Sequence, residues 1–207
     1  MTISDLVSSL GGYLPVTVTA AFILFITREL LELRRRKAGR TRKTKAIKIL
    51  LAEELEKNHW VFVSMLRILE QMKEASDEYP NAVFGLHIAR DGSEHFRMKN
   101  EPEDEFEQGS WIPKFHSTLY EKLLPSLAEL DQALFESISS TYSEIAELSH
   151  YRETLTSFLA GEDLAPDPGM TRHFLDRFAG EKDDYYNALN NGYKVLTGTD
   201  LKEWRLR

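Results

Sequence analysis

No charged side chain occurs between residues 6 and 27, and the next stretch, residues 28–48, holds ten Lys and Arg against only Glu29 and Glu32. As a helix, 22 uncharged residues cover roughly 33 Å at about 1.5 Å per residue, close to the roughly 30 Å of a bilayer's hydrocarbon core. A helix in the core of a soluble domain shows polar residues every third or fourth position, whereas residues 16–26 offer only Thr17 and Thr19. A secretion leader carries its positive charge before the apolar run, but no Lys or Arg precedes Arg28. The expectation is therefore a transmembrane anchor over residues 1–27.

The cations set the expected orientation. Arg34, Arg35, Arg36, Arg40, Arg42 and Lys43 form a collar over residues 28–48 that reads as a contact for anionic lipid head groups on the cytoplasmic side. That places a single-pass protein in a bacterial inner membrane, its amino terminus periplasmic and residues 49–207 cytoplasmic. Those residues carry 16 Lys and Arg against 30 Asp and Glu, a balance of −14, which excludes direct nucleic-acid binding and favours a basic protein partner. The absence of cysteine removes disulfides, thiolate metal sites and thiol nucleophiles.

Beyond the collar, Ile47, Leu51, Leu55, Phe62, Leu66, Leu69 and Met72 recur at intervals that predict an amphipathic helix over residues 46–75. Asn58 falls on that stripe, as a residue that fixes register between copies would, and Gly39 marks a soft point between anchor and helix. Residues 81–99 predict a β-hairpin with Asp91-Gly92 as its two-residue loop, which pairs Ile88 with His95 and Leu86 with Arg97. An acidic loop follows, and helix resumes near Ser110. A long helix runs from Pro125, in its first turn, to Gly161 just past its end, with Leu134, Ile138, Ile145 and Leu148 on the stripe that packs on the first helix. Two shorter helices cover residues 170–179 and 182–196, and Thr199 caps a last turn containing Trp204. The fold class is mainly α: one N-terminal transmembrane helix, then a cytoplasmic helical bundle with one small hairpin.

Sites of chemistry are sparse. The six histidines include no helical pair with the Glu of a zinc protease, and there is no phosphate loop, nucleophile elbow or dinucleotide fingerprint, so neither metal nor cofactor is expected. Adjacent acids such as Glu53 and Glu54 or Asp183 and Asp184 diverge on a helix and read as solvated faces. Arg90 and His95 match the spacing of the Arg-x4-6-His pattern of higher-eukaryote-and-prokaryote nucleotide-binding ribonucleases. That resemblance implies His95 as acid or base and Arg90 as a phosphate clamp, on a hairpin where the family has a helix.

Taken together, the uncharged run, the collar, "LLAEELEKN", "SWIPKF" and "LFESISSTYSEI" resemble small bacterial single-span proteins with helical cytoplasmic domains, several of them linked to anti-phage defence. The resemblance implies an effector that self-associates and perturbs the inner membrane; the other reading is a membrane-tethered adaptor for a cytoplasmic partner. Ser8 with Gly12 and Thr17 with Ala21 are spaced as small residues at a helix–helix interface of a homo-oligomer, and lipid is the remaining partner.

Overall fold

Apolar residues at intervals of three and four account for most of the architecture seen in a computed structural model of the chain. The structure describes residues 16–107, 109–161 and 168–202. Among them are four helices and one hairpin: α1 (Val16–Glu78), β1 (Val83–Ile88), β2 (Glu94–Lys99), α2 (Thr118–Leu130), α3 (Gln132–Ala160) and α4 (Pro168–Thr197). Residues 1–46 and 47–207 form separate compact units. In the first, the described residues belong to α1, which runs through Gly39 without a break.

The mainly helical class and the small hairpin are present, but the membrane part of the expectation is corrected. Among the described residues no helix is long and apolar enough to cross a membrane. Residues 16–27, the described part of the uncharged run, cover only about 18 Å of the roughly 30 Å required, and Arg28, Glu29 and Glu32 then end the apolar run while the helix continues. Residues 6–15 lie outside the described residues. A transmembrane, single-pass placement in the inner membrane, with its periplasmic amino terminus, is therefore not supported, and the lipid role of the collar loses its basis.

The second unit has one apolar core. From α1 it takes Leu51, Leu55, Phe62, Ile68 and Met72; from α3, Leu134, Ile138, Ile145 and Leu148; from α4, Leu175, Phe178 and Leu189. Leu66, expected in this set, is only partly buried at its edge. The helix that packs most closely on α3 is α4, where Tyr151, Phe178 and Tyr185 meet edge-on or stacked and both tyrosine hydroxyls donate to Glu181. Lys73 and Asp77 of α1 pair with Asp176 and Arg172 of α4.

Helix boundaries differ from the expected ones for identifiable reasons. Pro125 lies inside α2 instead of opening a helix, and the chain breaks at Asp131, whose backbone is extended and whose Oδ1 accepts the Leu134 N–H at 3.1 Å as the N-cap of α3. Gly161 ends α3 in the left-handed conformation, φ 69°, as expected. The two short helices are one, α4, which passes through Gly180 where a methyl group would meet open space. Trp204 lies outside the described residues.

Ile138 is fully buried, so Ile138→Ala leaves a cavity as well as losing transfer energy. The variant is expected to lose about 2–5 kcal/mol of stability; a urea midpoint equal to the parent's would remove α3 from the core.

His59 on α1 is 3% exposed, with both ring nitrogens lacking a hydrogen bond among the described residues. It packs against Trp60 and Tyr186. Burial holds its pKa below the ordinary histidine value, and the Lys202 backbone carbonyl and Glu56 oppose the shift only in part. The unfolded chain therefore takes up the proton first. Stability is full above about pH 6.5 and falls as the pH drops below it toward the folded-state value. Thermal midpoints are expected to fall between pH 7.5 and 5, and His59→Phe to flatten that slope; equal slopes in both proteins would mean another group controls it.

Candidate functional site

Each residue singled out from the sequence has a definite place, or lies outside the described residues as Ser8 and Gly12 do. Thr17 and Ala21 are exposed on α1. The collar residues Arg34, Arg35, Arg36, Arg40, Arg42 and Lys43 are also exposed, with Arg36 held to Glu32 at 2.5 Å one turn away. The same helix leaves large apolar side chains in the open: Phe22, Leu24, Phe25, Leu30 and Leu33 are each between 56% and 70% exposed. Fully polar surroundings do not suit so many adjacent hydrophobes, and such a patch ordinarily marks a contact surface.

Asn58 does not face a second copy. Its side-chain amide donates to the His116 carbonyl and accepts the His116 N–H, both at 2.7 Å, so a register role between copies has no group left to use. One turn before it, Glu54 is 3% exposed, although its pair with Glu53 reads as a solvated face. The Glu54 carboxyl accepts the N–H groups of Leu119 and Tyr120 at 2.8 and 3.0 Å, capping α2 from a distance, and the Tyr142 hydroxyl at 2.7 Å. Burial, followed by the Glu54 bond, drives the Tyr142 pKa far up, and its ring stacks on Tyr120 at 4.0 Å. Sequence reasoning also missed Arg152. This buried guanidinium bonds the Pro113 carbonyl at 2.9 Å and pairs with Glu94. The available signal was position: Glu54 adjoins the Leu51 and Leu55 stripe, and Arg152 sits between Leu148 and Leu155.

The hairpin turns differently from the expectation. The Gly92 N–H bonds the Ala89 carbonyl, the Ala89 N–H bonds the Ser93 carbonyl, and Gly92 has φ +80°. This is a three-residue loop, Arg90-Asp91-Gly92, with left-handed glycine in third place. The extra residue shifts the register by one, so that His87 faces His95 and Leu86 faces Phe96. Phe84, Leu86, Phe96 and Met98 thereby share the inner face, with Phe96 1% exposed, while His87, His95 and Arg97 take the other. Along the far edge of β2, the Phe96 N–H bonds Ser110 and the Ile112 N–H bonds Glu94, and His95 is bridged to Trp111. Only glycine fits at position 109, where a Cβ would lie 1.4 Å from the Phe96 carbonyl oxygen.

On the outer face, Asp91 Oδ1 accepts both the Ser93 N–H, at 3.0 Å, and the Ser93 hydroxyl, at 2.7 Å. These bonds hold the Asp91 carboxyl below the usual carboxylate range. The one hydroxyl hydrogen of Ser93 is therefore committed, and Ser93 Oγ must accept from His95 Nε2 at 2.9 Å. In the neutral imidazole this arrangement puts the proton of His95 on Nε2 and the lone pair on Nδ1. The direction is the reverse of a serine hydrolase, whose histidine takes a proton from serine. Arg90 is exposed in the turn while His95 lies in β2. Among the described residues no three His, Asp or Glu side chains converge on a metal position.

Two clefts open on the second unit. One, about 370 Å³, is lined by Phe115, Tyr120, Tyr142, His116, His150 and Glu153 among others. The other, about 260 Å³, is lined by Glu74, Glu78 and Glu107 together with Ala75, Phe96 and Met98. The Tyr79 hydroxyl at its rim bonds Glu78, which raises its pKa, and Glu107 adds to the shift. No family model, curated protein or solved structure matches the chain.

Removing the Glu54 carboxyl strands two part-buried N–H groups and one buried hydroxyl, whereas Tyr142→Phe removes one donor. Glu54→Ala is expected to cost about 3 kcal/mol or more and Tyr142→Phe about 1 kcal/mol. Urea unfolding that ranks the two variants the other way would show that Glu54 does not hold α2.

Proposed function

We propose that the protein is a self-associating adaptor, which gathers copies of itself through the apolar stretch of α1 and binds a basic protein segment through the acidic second unit. The observation that carries this reading is the exposed run of large hydrophobes in residues 18–33, on a helix whose remaining course, from Ile47 on, buries its apolar stripe in a core. Within the run, Ile23, Ile26, Leu30 and Leu33 stand at intervals of three, four and three, the seam of a coiled coil. The seam ends where Lys37 and Arg40 take the next positions.

Partner binding is supported by the balance of −14 over residues 49–207 and by the cleft lined by Glu74, Glu78 and Glu107. A Lys or Arg side chain would lay its alkyl stem along Met98 and its charge among the carboxylates. The membrane-perturbing part of the effector reading is set aside with the span.

Apolar contact and like-charged collars make opposite contributions, so salt should strengthen association by screening the collars. In sedimentation of the full chain, the parent is expected to be oligomeric at ~10 µM, where an interaction of about 7 kcal/mol is half saturated, and larger at higher salt. Ile26→Glu with Leu30→Glu should be monomeric with an unchanged melting midpoint. A monomeric parent, or a double variant of unaltered size, would sink the proposal.

A further inference from the structure

The register set by Gly92 brings together two imidazoles that are eight residues apart in the sequence. His87 and His95 are cross-strand partners on the outer face, with ring centroids 6.4 Å apart. Both are only partly buried, so a solute can reach them. His95 is also prepared in a specific way. The chain Asp91 Oδ1, Ser93 Oγ, His95 Nε2, with separations of 2.7 and 2.9 Å, fixes the proton on Nε2 and leaves Nδ1 as a lone-pair donor. Metal-binding histidines characteristically donate their second ring nitrogen to an oxygen acceptor in this manner, which fixes the tautomer and raises ligand basicity.

We propose that His87 and His95 chelate one divalent transition cation of the zinc, nickel and copper group, with Ser93 and Asp91 as positioning residues for His95 and water in the remaining positions. Imidazole donors suit these metals, while magnesium and calcium take six or more oxygen donors, and beside the two imidazoles this face offers only the Asp91 carboxylate and the Ser93 hydroxyl, already bonded to each other. With a metal–nitrogen distance of about 2.0–2.1 Å, two imidazoles at a tetrahedral angle have centroids roughly 5 Å apart. The pair must therefore close by about 1 Å from its present 6.4 Å, within the range of side-chain torsions. Arg97 lies on the same face, opposite Gly85, and its charge opposes a cation; the Asp91 carboxylate, tied to the same serine, offsets it. Trp111, bridged to His95 and 57% exposed, provides a local reporter.

The test is calorimetric titration of the full chain with Zn²⁺ alone and with Ni²⁺ alone. Saturable binding of one ion per chain is expected. His87→Ala and His95→Ala should each weaken it more than tenfold, Ser93→Ala by about 10-fold, the lower end of what loss of an outer-shell partner costs, and His116→Ala with His150→Ala not at all. Ni²⁺ should also quench indole fluorescence, and Trp111→Phe should remove that quenching. Melting midpoints show whether each variant is folded. Absence of saturable binding, or binding by folded His87→Ala and His95→Ala equal to the parent's, would overturn the proposal.

Discussion

Glu54 and Asn58 lie one helical turn apart on α1, and between them they satisfy five polar groups of other elements: the amides of His116, Leu119 and Tyr120, the His116 carbonyl and the Tyr142 hydroxyl. Among the described residues, positions 100–117 contain neither helix nor full strand, and so long an irregular segment must find partners for its backbone or remain in water. The two side chains of α1 meet that need at its end, and Arg152 meets it at Pro113 while also holding Glu94 of β2. The start of α2, and through Tyr142 the placement of α3, follow from these contacts. In the interior, an unpaired donor costs more than a paired one contributes. The arrangement is therefore specific: a shift of one residue in this segment would strand several groups together.

Magnitudes also frame the apolar stretch of α1. Fully burying a Leu, Ile or Phe side chain is worth about 1.5–3 kcal/mol. Ile23, Ile26, Leu30 and Leu33 on each of two copies then offer on the order of 8–16 kcal/mol when roughly two-thirds covered. Association costs about 4–15 kcal/mol in lost freedom, a figure of the same size, so repulsion between the ten cations of residues 28–48 on each copy weighs in the balance of the proposed self-association. Ionic strength, which screens that repulsion, therefore shifts the balance.

Periodicity made the helices legible, because the core stripes of α1 and α3 are long and regular, and Gly161 was readable as a cap because αL geometry favours glycine. Boundaries were less so. The apolar pattern continues across Asp131, through Leu130 and Leu134, and periodicity alone does not register a one-residue break in the backbone. The uncharged run suggested a span by its length, yet only residues 16–27 of it fall in the described helix, too few to cross a bilayer. Glu54 and Arg152 were hidden because a charged residue beside an apolar stripe ordinarily snorkels to solvent; the partners that keep these two inside are 65 and 58 residues away in the chain.

The hairpin shows how small the missing information was. Both loops that Asp91 and Gly92 permit are chemically sound, and they differ by one residue of register. In the two-residue alternative, His95 and Arg97 would share a face with Phe84, Leu86 and Ile88, and Phe96 would turn to water, forfeiting about 1.5–3 kcal/mol while bringing a guanidinium toward the core. The three-residue loop avoids both costs and adds the two bonds from Ser93 to Asp91. Burial of Phe96 therefore selects the register, and the register in turn places His87 opposite His95. The outer face and any chemistry it supports are consequences of a choice made by the core, one that local turn propensity leaves open and the alternation of side chains along β2 decides.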